Sequence, residues 1–362
     1  MEKLEKIIIS TGGTGGHVFP AISLYDCLKK NFYIEIFSDK RGLKYFKNKE
    51  NIKIINTDTI FGKNLFKIAL NLFKIIFSIV SSYFYLKRNK AKMVFGMGGY
   101  SSFPICIASY LLKIPIFIYE NNLVLGRTNR ILLPLVQRIL VSNEDISGIK
   151  KKYQHKIFKC GYLLREEIFK LEKKNNDFKK IKELTVLIIG GSQSAKIFGE
   201  RIPEIIIRCH KQNIKFKVIQ QCLENQINNI EKIYKENEID YNLFSFSENL
   251  FKYYLKADIV ITRSGASSLA ELINLRIPFI SIPLPSSADG HQLKNAISFE
   301  KKEYCFLLDE KLISSKLFEI LDDLNKNRDK LFFLKKNMDK HSDKNSVIKV
   351  QKLVDNYLNE KN

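Results

Sequence analysis

The sequence predicts an α/β protein built as two parallel sheets wrapped in helices, and three observations predict it. Short apolar runs alternate with helical stretches along nearly the whole chain, the pattern of strand–helix–strand units. Two of those runs, "KIIISTGG" and "LTVLIIGGSQ", end in a double glycine, and Gly12 and Gly190 lie 178 residues apart (190 − 12). Between them a lysine-rich stretch at 170–183, "KLEKKNNDFKKIKE", interrupts the apolar pattern. Each strand-plus-glycine opening reads as the first strand of its own Rossmann-like unit. Ligands of such open sheets bind at the carboxyl ends of the strands, so the two units are expected to face each other across a ligand cleft.

Taken in order, strands are expected at 7–10 (IIIS), 33–37 (YIEIF), 93–95 (MVF), 116–119 (IFIY) and 138–141 (RILV) in the first unit. The second unit offers 184–191 (LTVLIIGG), 215–221 (KFKVIQQ), 257–265 (ADIVITRSG) and 277–285 (IPFISIPLP). The expected domains are 1–162 and 163–340. Residues 341–362 form a terminal helix for which the first domain is the candidate partner.

The chain has 362 residues, enough for two domains with sizeable cores. Hydrophobic and charged contents of 45% and 27% are ordinary, so the formal net charge of +22 stands out. Heavy use of Lys, Asn, Ile and Phe points to an AT-rich genome as one source of it. The surface still favours anionic partners. No nucleic-acid-binding module is visible, so nucleic acid is not an expected partner. Cys27, Cys106, Cys160, Cys209, Cys222 and Cys305 are scattered, with no C-x-x-C spacing. They read as reduced thiols, with neither a disulfide framework nor a metal site. A signal peptide is not expected, since the first strand begins by Lys6.

The first glycine turn carries chemistry. In "IIISTGGTGGHVFPA" (7–21) a strand runs into glycines and then a helix, which points backbone N–H groups and a helix dipole at an anion. Gly13 and Gly15 fit the first two glycines of a dinucleotide fingerprint, but its third position is Val18; Asp39, closing the second strand, would be the acidic ribose ligand of that dehydrogenase-like reading. His17 stands at the helix N-terminus, where the dipole disfavours imidazolium and leaves a neutral ring able to accept a proton. That suits a general base near neutral pH. A histidine that merely caps the helix is the other reading of this residue.

Further motifs follow in fixed order: "GMGGYSSFP" (96–104), "YENNLVLGRTNR" (119–130), "CGYLLR" (160–165), "IIGGSQSAK" (188–196), "ITRSGASSLAEL" (261–272) and "DGHQLKNA" (289–296). Together with "GGTGGHVFPA" (12–21) they resemble the MurG family of peripheral-membrane N-acetylglucosaminyltransferases. The resemblance runs from about residue 5 to at least residue 300. It implies the GT-B glycosyltransferase fold, two Rossmann-like domains facing across a cleft, and the conversion of lipid I to lipid II in peptidoglycan synthesis. The reaction implied is an inverting, metal-independent transfer from UDP-GlcNAc to the C4 hydroxyl of MurNAc in undecaprenyl-diphospho-MurNAc-pentapeptide, with no cofactor.

Residue by residue, the resemblance implies His17 as base or as positioner of the acceptor, with Thr14, Gly15 and Gly16 beside the donor. Gly13, Gly98, Gly99 and Tyr100 would hold the acceptor diphosphate. Asn122 matches an asparagine of the sugar site, and Glu120 is expected to be structural. Arg165 would fork onto the donor diphosphate, as guanidinium does, and Ser192 would donate its hydroxyl there. Ala266, Ser267 and Ser268 would present a helix N-terminus to phosphate, and Glu271 would accept from both ribose hydroxyls. Outside the family context Glu271 reads as a solvated helix residue. His291 and Gln292 would meet the GlcNAc hydroxyls, and backbone groups of Ser247, in "FSEN", would read the uracil. The chain departs from the family pattern at "QQCL" (220–223), at Ser194 and at Gly290.

Residues 64–88, "NLFKIALNLFKIIFSIVSSYFYLKR", hold a 19-residue apolar core at 68–86 interrupted by Asn71, Lys74 and serines. With Lys63, Lys67, Lys87 and Arg88 it reads as a helix lying in an anionic interface rather than crossing it. One face is expected to cover the sheet while part of the other touches lipid. The implied location is peripheral, on the cytoplasmic face of the bacterial inner membrane. Two rivals remain: an NAD-dependent oxidoreductase, and a UDP-GlcNAc 2-epimerase of the same fold.

Overall fold

The computed structural model describes residues 4–46, 51–55, 65–171, 177–245, 247 and 249–360; the side chains at 65–69 and 191–195 lie outside that description. Lys63, the side chain of Lys67, the side chains of Ser192 and Ser194, and residues 246 and 248 of "FSEN" therefore lie outside the described residues. The chain forms two compact units, 1–166 with 343–362, and 167–342.

The first unit holds β1 (Lys6–Thr11), β2 (Tyr33–Ser38), β3 (Ile52–Ile54), β4 (Met93–Gly96), β5 (Ile116–Glu120), β6 (Arg138–Val141) and β7 (Ile157–Lys159). They make one parallel sheet in the order β3-β2-β1-β4-β5-β6-β7. Its helices are α1 (Gly15–Leu28), α2 (Leu65–Asn89), α3 (Ser102–Leu111) and α4 (Arg127–Leu132). A short α5 (Glu166–Lys170) leads to the second unit, which contains β8 (Leu184–Ile189), α6 (Gly191–Lys211), β9 (Phe216–Gln221), α7 (Glu224–Glu236) and β10 (Asp240–Phe244). It continues with α8 (Phe251–Tyr254), β11 (Ile259–Thr262), α9 (Ala266–Leu275), β12 (Phe279–Ser281), α10 (His291–Lys301), β13 (Cys305–Leu307), α11 (Ile313–Lys326) and α12 (Asp329–Met338). Its parallel sheet runs β10-β9-β8-β11-β12-β13. The last helix, α13 (Ser346–Asn359), returns to the first unit, where Val350, Val354 and Leu358 share a core with Ile7, Ile9 and Leu24.

Both units are Rossmann-like, as the glycine openings predict. The expected strands are all present. The four that the apolar pattern does not disclose are β3, β7, β10 and β13, which are the four sheet edges. Central parallel strands are covered on both faces and read as continuous apolar runs; edge strands such as "IKI" and "DYNLF" are half solvated and lose that signal.

Helix α2 does two things at once. Ile75, Ser78, Ser82 and Leu86 are buried along one stripe, and Leu86 joins the cluster of Ile8, Phe37 and Val94. Leu70, Leu72, Phe73, Ile76, Phe77, Val80 and Phe84 face outward, with Phe73 and Phe77 at 68% and 66% exposure. Lys74, Lys87 and Arg88 are exposed among them. The C-terminal turns of α2 are tied to the sheet through Glu35, which accepts from Tyr85 Oη and, at 3.1 Å, from Lys6 Nζ. Among the described residues no helix is long and apolar enough to cross a membrane.

Candidate active site

Two glycine turns meet at the carboxyl end of the first sheet. Gly13 has φ 80°, Gly98 has 88° and Gly99 has 78°, a region glycine enters without penalty. Asp39, at the end of β2 and buried, fixes the first turn: its Oδ1 accepts from the N–H of Gly13 and of Gly42, both at 2.9 Å. Arg41 NH2 reaches Oδ2 at 2.7 Å. Burial raises the carboxyl's pKa, but the two amides and the guanidinium outweigh it and hold it below its usual 3.8. Asp39 is thus part of the turn's own scaffold, in place of the nucleotide role that a dehydrogenase would give it.

The turns interlock without spare room. A Cβ on Gly12 would stand 2.4 Å from Ser101 Oγ, and one on Gly99 would stand 3.3 Å from the Gly12 carbonyl. His17 lies in the first turn of α1, half-buried, and a Cβ on Gly98 would come within 2.6 Å of its Nδ1. The helix cap is Thr14, with extended backbone, and its carbonyl accepts from His17 N at 3.1 Å. The imidazole therefore packs on the second glycine turn. Thr11 Oγ1 donates to the His17 carbonyl at 2.9 Å and fixes the backbone beneath the ring.

The "YENN" segment closes the same edge. Glu120 is buried; its Oε1 accepts from the N–H and Nδ2 of Asn122, and its Oε2 from Gly126 N and Asn129 Nδ2, at 2.9–3.1 Å. Asn122 Nδ2 also donates to Asn121 Oδ1 at 3.0 Å. Arg165 lies in the first unit, where its guanidinium stacks 4.2 Å over the Phe19 ring. That ring borders Gly15, whose added Cβ would meet it at 2.8 Å. Tyr100 is half-buried on the second turn.

In the second unit the loop after β11 is held by carboxamides. Gln292 Oε1 accepts from Ser264 N at 3.2 Å and Leu284 N at 3.0 Å, while Asn295 Nδ2 donates to the Ser264 carbonyl at 3.2 Å. Ser264 Oγ and Ser281 Oγ lie 2.7 Å apart. Both of these bonds engage the Gln292 carbonyl oxygen and leave its Nε2 amide out of the loop's own scaffold. Gly265 then caps α9, and Ala266, Ser267 and Ser268 form its first turn with no acidic residue there. Glu271 is on the same helix and is 6% exposed, so the solvated reading of this residue does not hold. His291 Nδ1 lies 2.7 Å from the Ala288 carbonyl; since a carbonyl only accepts, the ring donates there.

The departure at 220–223 has structural work. Gln220 is fully buried and accepts from Tyr234 Oη at 2.6 Å; Gln221 Nε2 donates to the Ser245 carbonyl at 3.2 Å. Ser247 is half-buried, and no described contact joins it to the Gln292 cluster. Ser264 and Asn295 escape the sequence reading. The signal for Asn295 is its spacing three residues beyond Gln292 on one helix, which puts both carboxamides on one face. Among the described residues no group of three or more His, Cys, Asp or Glu could hold a metal ion.

A family model for the glycosyltransferase family 28 N-terminal domain matches residues 7–141, and one for the family 28 C-terminal domain matches residues 185–353. The chain belongs to glycosyltransferase family 28. His17, both glycine turns and Asn122 fall in the family's N-terminal domain, Glu271 and Gln292 in its C-terminal domain, and Arg165 between the two matches. Among its family 28 relatives is the Pelagibacter ubique UDP-N-acetylglucosamine--N-acetylmuramyl-(pentapeptide) pyrophosphoryl-undecaprenol N-acetylglucosamine transferase. That protein is 38% identical over 92% of this chain and 93% of its own length. The crystal structure of Acinetobacter baumannii MurG matches with a TM-score of 0.75 and 25% identity, over 97% of this chain and 99% of that one. A UDP-GlcNAc 2-epimerase from Neisseria meningitidis matches with a TM-score of 0.65 at 16% identity, over 97% of this chain and 100% of that one. At that identity the likeness is one of fold alone. The fold is GT-B.

Proposed function

We propose that this family 28 enzyme transfers N-acetylglucosamine from UDP-GlcNAc to the C4 hydroxyl of the MurNAc sugar in undecaprenyl-diphospho-MurNAc-pentapeptide, with inversion at the anomeric carbon. The observation that carries the reading is 38% identity, over 92% of the chain, to a relative named for that transfer. Glycine turns that wedge a first-turn histidine support it from the geometry.

In this reading the neutral His17 ring takes the proton of the C4 hydroxyl as that oxygen bonds to the anomeric carbon. The bond from that carbon to the diphosphate breaks, and UDP leaves with the electron pair. Arg165, the Ser192 hydroxyl and the α9 N-terminus at 266–268 stabilise the departing charge. Glu271 accepts from the ribose hydroxyls, Gln292 Nε2 and His291 meet the GlcNAc hydroxyls, and backbone groups of Ser247 read the uracil. Thr14, Gly15, Gly16 and Asn122 stand by the donor sugar. Gly13, Gly98, Gly99 and Tyr100 hold the acceptor diphosphate.

The acceptor's polyprenyl tail stays in lipid, so the enzyme works at a membrane surface. The outward apolar residues of α2, with Lys74, Lys87 and Arg88, suit peripheral attachment to the anionic cytoplasmic face of the inner membrane. The deciding experiment is transfer of labelled GlcNAc from UDP-GlcNAc to a lipid I analogue. Label appearing in the acceptor is the expected result; label recovered as an epimerised UDP-sugar, with none in the acceptor, would overturn the reading.

A further inference from the structure

Pro20 lies inside α1, where it has no N–H to give the carbonyl four residues earlier, and its ring pushes that carbonyl off the helix axis. The carbonyl in question is that of Gly16, which forms one peptide unit with the N–H of His17. Asn121, just after β5 and 4% exposed, donates its Nδ2–H to the Gly16 carbonyl at 3.0 Å. Its Oδ1 accepts from Asn122 Nδ2 at 3.0 Å, and its own carbonyl accepts from Ser142 Oγ at 2.9 Å. One buried carboxamide thus replaces the hydrogen bond that Pro20 abolishes and links the turn carrying His17 to the side chain of Asn122.

We infer that Asn121 is a positioning residue for the transfer: it holds the Gly16–His17 peptide, and through it the imidazole, in register with Asn122. The inference rests on the reading of His17 as base. Without the carboxamide the Gly16 carbonyl turns toward another donor and rotates the adjoining peptide. A displacement near 1 Å is enough to lower a rate by about 100-fold.

The test compares Asn121→Ala with the double variant Pro20→Ala/Asn121→Ala, which returns an N–H to position 20. We expect Asn121→Ala to fold and to lose about 10- to 100-fold in kcat, with KM for UDP-GlcNAc changed less than about threefold. Its His17 ring signals in long-range ¹H–¹⁵N spectra should move. The double variant should regain most of the lost turnover and the original ring signals. Wild-type turnover in Asn121→Ala with unmoved ring signals would overturn the inference, as would a loss that Pro20→Ala leaves untouched. Asn121→Ser, too short to span to Gly16, carries the same expectations should the alanine variant fail to fold. If the wild type transfers no GlcNAc, the function fails instead, and the ring signals still decide the placement.

Discussion

The imidazole of His17 lies so close to the α-carbon of Gly98 that a single methyl group added there would stand 2.6 Å from Nδ1. The second glycine turn is therefore a wall that sets the orientation of the ring. Gly98→Ala tests that wall directly. Its φ of 88° strains any L-residue by about 1–2 kcal/mol, and the new methyl displaces the ring. We expect a lower Tm, a kcat reduced at least about tenfold, and a nearly unchanged KM for UDP-GlcNAc. Steady-state kinetics beside a thermal melt would check all three; wild-type kcat would mean the wall has no catalytic role.

His17→Ala should lower kcat by about 10²–10⁴-fold, the range for a lost general base. Calorimetric titration with UDP-GlcNAc should show affinity close to wild type. Near-normal turnover would reduce His17 to a packing residue.

Glu271→Ala should weaken UDP binding by about 1.5–3 kcal/mol, the scale of hydrogen bonds to a charged group. The variant should also discriminate less between ribose and deoxyribose nucleotides. Equal UDP affinity in variant and wild type would remove Glu271 from the donor site.

Phe73→Ser together with Phe77→Ser should release the enzyme from anionic vesicles, since burying one such side chain contributes about 1.5–3 kcal/mol. Lys74→Glu should act in the same direction through loss of attraction worth about 1 kcal/mol. High salt should reproduce the Lys74 effect and leave most of the phenylalanine contribution. Turnover of a short-chain soluble acceptor should persist in all three. Sedimentation with vesicles of known charge provides the measurement, and unchanged binding by the double phenylalanine variant would remove α2 from the attachment face.

The glycine turn should be acid-sensitive through Asp39. Its folded-state pKa is depressed, so its stabilisation is complete above about pH 4 and fades as pH falls through the folded value, when protonation removes an acceptor from Gly13, Gly42 and Arg41. Asp39→Asn should be less stable than wild type at pH 7, and the gap should narrow at pH 3. Urea unfolding at the two pH values would show it; a constant gap would contradict the role.

The central strands were legible because each is covered on both faces and so appears as an unbroken apolar run. The edges β3, β7, β10 and β13 were not, because three to five partly solvated residues resemble a loop. The glycine turns and His17 stood out by local spacing alone. The residues that hold them did not: Asp39 lies 26 positions from Gly13, Gln292 lies 28 from Ser264, and Asn121 lies 105 from Gly16. Such partnerships arise only when parallel strands bring distant loops to one edge. The burial of Glu271 was hidden for the same reason, since a lone carboxylate in a helix reads as solvated until its neighbours are known.

The return of α13 to the first unit orders the birth of the protein. A ribosome delivers residues 1–166 before the second unit, yet their core lacks Val350, Val354 and Leu358 until the second unit has been made. The second unit is one uninterrupted stretch, 167–342, and is complete earlier. The half carrying His17 thus reaches its finished form after the half carrying Glu271, and a nascent chain from which only residues 1–342 had emerged would hold a complete second unit and a first unit whose core is still open.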